Sequence, residues 1–295
     1  MERYVEVEPG VRLWVREAGA PDAEPLLLVM GANASGLVWP DTFVDALAAR
    51  HRVISYDHRD TGRSSWAFES HPYPITRLAE DAVAVLDALG IARAHVAGMS
   101  MGGMLVQLLL LDHPDRLLSA TVWGTTALAP GAGASAAGTT EADSTELPGP
   151  DPAILALWEH LADPRDRAAE LDFRVGHWRA LRGAGPFDAA EFRALEERLI
   201  EHAGRYDSPV AHAVADTSGM ARGAELADVS TPTLVIEAGQ DPIFPPPHAD
   251  HLAAVTAGAR LVRMPTLGHA LGSDVVPELA ATVLRHTTSA RAERH

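Results

Sequence analysis

A mostly parallel α/β sheet with helices on both faces and a helical insertion is the architecture that three features of this sequence predict. Short continuous apolar runs alternate with amphipathic stretches through the first half of the chain, as strand-helix-strand units do. Strand-like runs then vanish between Gly124 and Thr231 and give way to helical patterns. Two further apolar runs, each followed by a helical segment, close the chain. We therefore expect one core in two pieces, residues 1–125 and 225–295, interrupted by a helical cap of residues 126–224.

The elements follow in order. The opening MERYVEVEPGVRLWV alternates charged and apolar residues like a strand. PLLLVMG (Pro25 to Gly31) is an unbroken apolar run ending in glycine, as expected of a strand buried on both faces. HRVISYD (His51 to Asp57), AHVAGMS (Ala94 to Ser100) and SATVWG (Ser119 to Gly124) read the same way. Between the second and third, ITRLAEDAVAVLDALG sets Leu78, Ala82, Val85, Leu86 and Leu89 at helical spacing and closes on Gly90, suited to a C-terminal cap. Residues 131–152, rich in Gly, Ala, Ser, Thr and Pro, form a flexible excursion by composition. Three helical patterns follow, PAILALWEHLA, RDRAAELDFRVGHWRALRG and DAAEFRALEERLIEHAG, the last with Asp188 as N-cap. TPTLVIEAG (Thr231 to Gly239) and ARLVRMP (Ala259 to Pro265) are the last strands, and the tail TTSARAERH is expected to fray. A helical insert over the C-terminal edge of a parallel sheet sits where ligands bind, as a lid would.

Composition narrows the partners. With 295 residues, 47% hydrophobic and 22% charged, the chain has ordinary globular usage. Twenty-four Lys and Arg against 40 Asp and Glu leave a net charge of -16, which repels phosphate backbones and anionic headgroups. A small neutral or cationic molecule is the expected partner, not nucleic acid or membrane. The absence of cysteine excludes disulfides, thiolate metal sites and a cysteine nucleophile. No apolar stretch reaches spanning length, since MLVQLLLL is interrupted at Gln107 and ended by Asp112. The N-terminus lacks an apolar signal-peptide core, so a cytoplasmic monomer or homodimer is expected.

The chemistry is carried by Gly98-Met99-Ser100-Met101-Gly102, a G-x-S-x-G placed between an apolar strand and a helix. A serine on a turn this tight is pushed out of the sheet, and only small residues fit two positions before and after it. The competing reading is a plain serine helix cap. A serine nucleophile needs a base and an acid to orient that base. Among 14 histidines, His269 in MPTLGHALG follows the last strand, whereas His248 and His251 lie on a helical pattern and His95 lies inside a strand. Asp241 follows the strand TPTLVIEAG in the Pro-rich turn GQDPIFPPP, which would hold its carboxylate rigidly. The order Ser100, Asp241, His269 is that of α/β-hydrolases, which the rival acid Asp274 breaks. An oxyanion hole needs two backbone N–H groups, and the amides of Ala32 and Met101 are the ones expected to supply them. Asn33 is a candidate to brace that loop or touch substrate, with a plain turn residue as the competing reading.

These motifs, with VMGANASGLVWP, YDHRDTGRSS, HPDRL and LGHAL, resemble the α/β-hydrolase superfamily over essentially the whole chain. They look most like the anthracycline methyl esterases of the aclacinomycin methylesterase type, on Met30, Gly31, Ala32, Asn33, Trp39 and Pro40. Met30 stands where many relatives have histidine, and Asp60 where many have glycine. The resemblance implies a serine ester hydrolase without metal or cofactor, removing a methyl ester from an aromatic polyketide through an acyl-enzyme. It also implies the triad Ser100, Asp241 and His269 and the oxyanion amides of Ala32 and Met101. An enol-lactonase, a cofactor-free haloperoxidase or perhydrolase, and a noncatalytic receptor are the alternatives on this fold. Substrate contacts are expected from the insertion, where Trp158, Trp178, Phe187 and Tyr206, with Phe173, Phe192 and Met220, could stack on a flat ligand. Trp158 shares helical spacing with Ile154 and Leu161, so core is the stronger reading for that residue.

Overall fold

The computed structural model describes residues 1–129, 147–161, 163–206 and 209–292. Most of the compositional excursion at residues 131–152 therefore lies outside the described residues. Among the described residues, eight strands form one sheet in the order β1-β2-β4-β3-β5-β6-β7-β8. They are β1 (Glu2–Glu8), β2 (Val11–Ala18), β3 (Pro25–Val29), β4 (Arg52–Tyr56), β5 (Ala94–Met99), β6 (Leu117–Trp123), β7 (Thr233–Ala238) and β8 (Arg260–Met264). Strands β3 to β8 pair in parallel, while β1 and β2 form an antiparallel hairpin that joins β4 antiparallel. By its alternation alone the segment reads as one strand, where the structure has two. Both arms alternate in the same way, and only the turn at Gly10, with φ +82°, separates them.

Helices α1 (Asp41–Ala48), α2 (Arg77–Ala88) and α3 (Met101–Asp112) belong to the first half. The insertion carries α4 (Pro152–Trp158), α5 (Arg167–Leu181), α6 (Ala189–Ala203) and the short α7 (Ala211–Val214), and α8 (His248–Val255) and α9 (Val276–Ala292) follow β7 and β8. Gly90 ends α2 at φ +68°, with its own N–H on the Asp87 carbonyl and that of Ile91 on Leu86, so the last carbonyls are satisfied. Asp188 caps α6 by accepting from the amides of Ala190 and Glu191. The tail departs from expectation: α9 continues to Ala292, held by buried Thr287 and Ala290 and by a 2.9 Å hydrogen bond between Thr287 and His51.

Strand β3 shows why its run is uninterrupted. Leu27 and Val29 pack into the core beneath α2 and α3, whereas Leu26 and Leu28 pack into the opposite core with Phe43 and Leu47 of α1 and Leu279 and Val283 of α9. A strand with helices over both faces has no side left for polar residues. The carboxyl ends of β3, β5, β6, β7 and β8 consequently share one edge, beside which the insertion leaves the chain after β6.

Candidate active site

Strand β5 stops at Met99 and α3 starts at Met101, so Ser100 takes the corner alone. Its φ is +58°, an unusual backbone conformation for a residue with a Cβ. The corner is held by the Ser100 N–H on the Trp123 carbonyl at 3.1 Å and by the Gly103 N–H on the Ser100 carbonyl at 2.9 Å. The hydroxyl makes no capping hydrogen bond to α3, which removes the helix-cap reading.

The glycines around it follow from space. A Cβ on Gly102 would lie 2.1 Å from the Val29 carbonyl oxygen, and one on Gly98 would lie 2.3 Å from that of Gly102. Gly124, at φ +52°, similarly clears room beside Asp241 Oδ2, which a Cβ there would approach to 3.0 Å.

His269 Nδ1 donates to Asp241 Oδ2 at 2.7 Å. The other Asp241 oxygen accepts from the amides of Ile243 at 2.7 Å and Phe244 at 3.0 Å, so the turn after β7 fixes the carboxylate. Burial pushes the Asp241 pKa up, but the charge and hydrogen bond of His269 and those two amides prevail and hold it below the ordinary carboxylate value. A carboxylate on Nδ1–H leaves the lone pair of His269 on Nε2.

The loop carrying His269 is gripped by the insertion. The Leu181 carbonyl at the end of α5 accepts from the amides of His269 at 2.8 Å and Ala270 at 3.2 Å. Arg182, fully buried, pairs with Asp274 at 2.5 Å and donates to the Thr266 carbonyl at 3.0 Å. Asp274, the rival acid, is therefore committed to Arg182.

Ser100 and His269 open into one cavity of about 260 Å³. Met30, Gly31, Ala32 and Asn33 line it from the loop after β3, and Trp158, Phe173, Arg174, His177, Trp178 and Glu196 line it from the insertion. A smaller compartment of about 100 Å³ shares Asn33, Arg174, Trp178 and Glu196 with it. A larger open groove of about 830 Å³, between Trp66, Phe68 and Val214, contains none of Ser100, Asp241 and His269. Among the described residues, neither the Ala32 nor the Met101 amide is given to another acceptor, and both border the serine corner.

Asn33 is a brace as well as a lining residue, because its Oδ1 accepts the His212 N–H at 3.1 Å. Trp158 and Trp178 line the cavity with their indole N–H groups engaged, on His177 Nε2 at 3.2 Å and on Glu196 at 2.6 Å. Phe187 and Tyr206 are placed elsewhere. Phe187 stacks on Phe192 at 4.9 Å in the packing between α5 and α6, and Tyr206 is 40% exposed with its carbonyl bonded to Arg174. Phe192 and Met220 are buried in core. Aromatic type alone could not separate these from Trp158, since helical position and loop course decide which ring meets the cavity.

No local pattern marks His177 and His212 among the 14 histidines. Burial, helped by the charge of His269, lowers the His177 pKa to about 4, and burial together with His58 lowers that of His212 to about 3. Both folded values lie below the unfolded value of about 6.5, so the stability these neutral rings carry is full above that pH and is lost as pH falls toward their folded values. The Tm should therefore drop by roughly 10 °C between about pH 7 and pH 4.5, with His212→Asn flattening part of the slope. Calorimetry across that range checks it, and a flat Tm would contradict it.

One grouping of metal-ligand type occurs among the described residues. Ligand atoms of Glu24, His51 and His95 lie within 4.8 Å of one another at the opposite end of β5 from Ser100. Hydrogen bonds already join His95 to Glu24 and Ser119, and His51 to the Glu24 carbonyl and Thr287. No described helix is long and apolar enough to cross a membrane.

Comparison with known proteins agrees with this geometry. The family described as the alpha/beta hydrolase fold matches residues 24–147. Rhodomycin D methylesterase DauP of Streptomyces sp. (strain C5) is 46% identical over 286 residues, covering 95% of this chain and 96% of that protein. Rhodomycin D methylesterase DnrP of Streptomyces peucetius is equally similar, at 46% over the same shares. Among solved structures, a hydrolase from Pseudomonas aeruginosa PA01 superposes with a TM-score of 0.72 at 26% identity, covering 97% of each chain. With a strained serine at a strand-helix corner, a His-Asp pair on the following strand ends and full-length similarity to these enzymes, the chain belongs to the alpha/beta hydrolase family and is a hydrolase.

Proposed function

We propose that this enzyme removes the methyl group from a carboxylic methyl ester of an anthracycline-type aromatic polyketide, releasing methanol and the free acid. Ser100 Oγ attacks the ester carbonyl while His269 Nε2 takes its proton, and Asp241 keeps the imidazole in that tautomer and stabilises its cation. The amides of Ala32 and Met101 receive the oxyanion, the second with the N-terminal dipole of α3 behind it. His269 then protonates the departing methoxide and activates the water that frees Ser100. No step calls for a metal or cofactor.

The observation that carries the reading is that Ser100 and His269 open together into a cavity walled by Trp158, Phe173 and Trp178. Flat aromatic walls suit a planar polycyclic ligand. The adjoining compartment beside Arg174 and Glu196 offers polar groups to a substituent such as a sugar. The full-length similarity to two rhodomycin D methylesterases supports the same ester class. Residues 126–224 then serve as a cap that supplies about half of the cavity lining and positions the His269 loop.

The test is a panel of anthracycline methyl esters, glycosylated and aglycone, followed by mass spectrometry. Loss of one methylene with equimolar methanol is expected for at least the glycosylated members. Failure on the whole panel, with turnover of an enol-lactone instead, would replace this reading by a lactonase.

A further inference from the structure

We infer that His212 is a positioning residue for the oxyanion loop, so that the insertion that builds the substrate cavity also sets the donor at Ala32. This rests on the reading of Ser100 as nucleophile and of Ala32 as oxyanion donor.

The loop leaving β3 runs through Met30, Gly31, Ala32 and Asn33, and Asn33 sits at φ +56°. Asparagine tolerates that conformation better than other residues with a Cβ, and here two hydrogen bonds hold it there. Their partner is far away in sequence. The Asn33 N–H donates to His212 Nδ1 at 2.8 Å, and the His212 N–H donates back to Asn33 Oδ1 at 3.1 Å. A backbone N–H can only donate, so Nδ1 of His212 is an acceptor and its proton is on Nε2, which donates to the Arg59 carbonyl at 2.9 Å. Each ring nitrogen thus has one role, and the ring is 1% exposed.

The near end of the loop is held too. His58 Nε2 pairs with the Met30 carbonyl at 3.0 Å, and the His58 and His212 rings meet edge to face at 5.6 Å. Ala32 lies between the two braces, beside Ser100, with its amide uncommitted among the described residues. On the other side of His212, Pro209 and Ala213 line the cavity. A ligand seated in the cavity therefore touches the turn that holds Asn33.

The test uses the full-length enzyme, a methyl ester it turns over, and three readouts: kcat, KM and Tm. His212→Gln removes the acceptor for the Asn33 amide while keeping a donor near Arg59, and His212→Asn keeps an acceptor at the Nδ1 position. Asn33→Gly retains the amide, relieves the positive φ and deletes the return bond. We expect H212Q to lower kcat about 10- to 100-fold with KM within about threefold, H212N to restore most of it, and N33G to lower kcat about tenfold at near-native Tm. Should H212Q fail to fold, N33G decides, since a purely structural brace predicts an unchanged kcat for it. Equal kcat for H212Q and H212N, or losses that follow Tm or KM alone, would overturn the inference. Fluorophosphonate labelling of the wild type separates the two levels. If Ser100 is labelled and H212Q and N33G retain full kcat, this inference alone fails; if Ser100 is not labelled, the nucleophile reading fails and takes this with it.

Discussion

Asp241→Asn is expected to lower kcat about 10⁴-fold in a protein that still folds and still binds its ester. The cause lies in the turn after β7. The amides of Ile243 and Phe244 can only donate, so they capture the oxygen of the new carboxamide where Oδ1 stands now. The amino group is thereby turned toward His269 Nδ1, which must accept. The imidazole proton moves to Nε2, the atom that has to receive the proton of Ser100, and the base is lost through its tautomer rather than its position. Because the replacement is isosteric and Asp241 is already buried, KM should change less than about threefold and Tm by a few degrees. Steady-state kinetics with a thermal melt check this. A variant within tenfold of wild-type kcat would mean that Asp241 does not orient the base.

Gly102→Ala is expected to cost more than about 3 kcal/mol and to deplete soluble enzyme, although it adds a single methyl group inside a helix that normally favours alanine. The added Cβ would stand 2.1 Å from the Val29 carbonyl oxygen and 2.6 Å from that of Met30. Backbone cannot yield as a side-chain tip can, so either α3 withdraws from the sheet or the end of β3 moves. Both routes displace the loop that carries Ala32. Any folded fraction should show a loss in kcat larger than its loss in binding. Yield, chemical denaturation and kinetics read the three effects, and a variant with native Tm and native kcat would contradict the account of the corner.

Much of this architecture is legible in the sequence because the inner parallel strands, β3 to β7, are buried on both faces. Runs such as PLLLV and TLVIEA announce themselves by composition, and Ser100 interrupts the run AHVAGM at a point where only a turn explains it. Asp241 and His269 are legible because each follows such a strand. Antiparallel β1 and β2 merge in the reading because their alternation continues across the turn. Helix α1 goes unread, for its eight residues from Asp41 to Ala48 give too little periodicity. The tail reads as frayed although Thr287 and Ala290 are buried, since polar and small residues carry little pattern.

The cavity is legible in kind and not in detail. Trp158 and Trp178 reach it, whereas Phe187 turns into the packing of α5 and α6. His212 was invisible for a different reason. Its meaning comes from Asn33, and a hydrogen bond between residues 179 positions apart has no local signature.

The most direct test of the central claim is where a covalent probe lands. Incubation with a fluorophosphonate, followed by peptide mapping, should place a single adduct on Ser100, and Ser100→Ala should lose labelling together with methanol release from the methyl ester. An adduct on another residue, or methanol release persisting in Ser100→Ala, would contradict it.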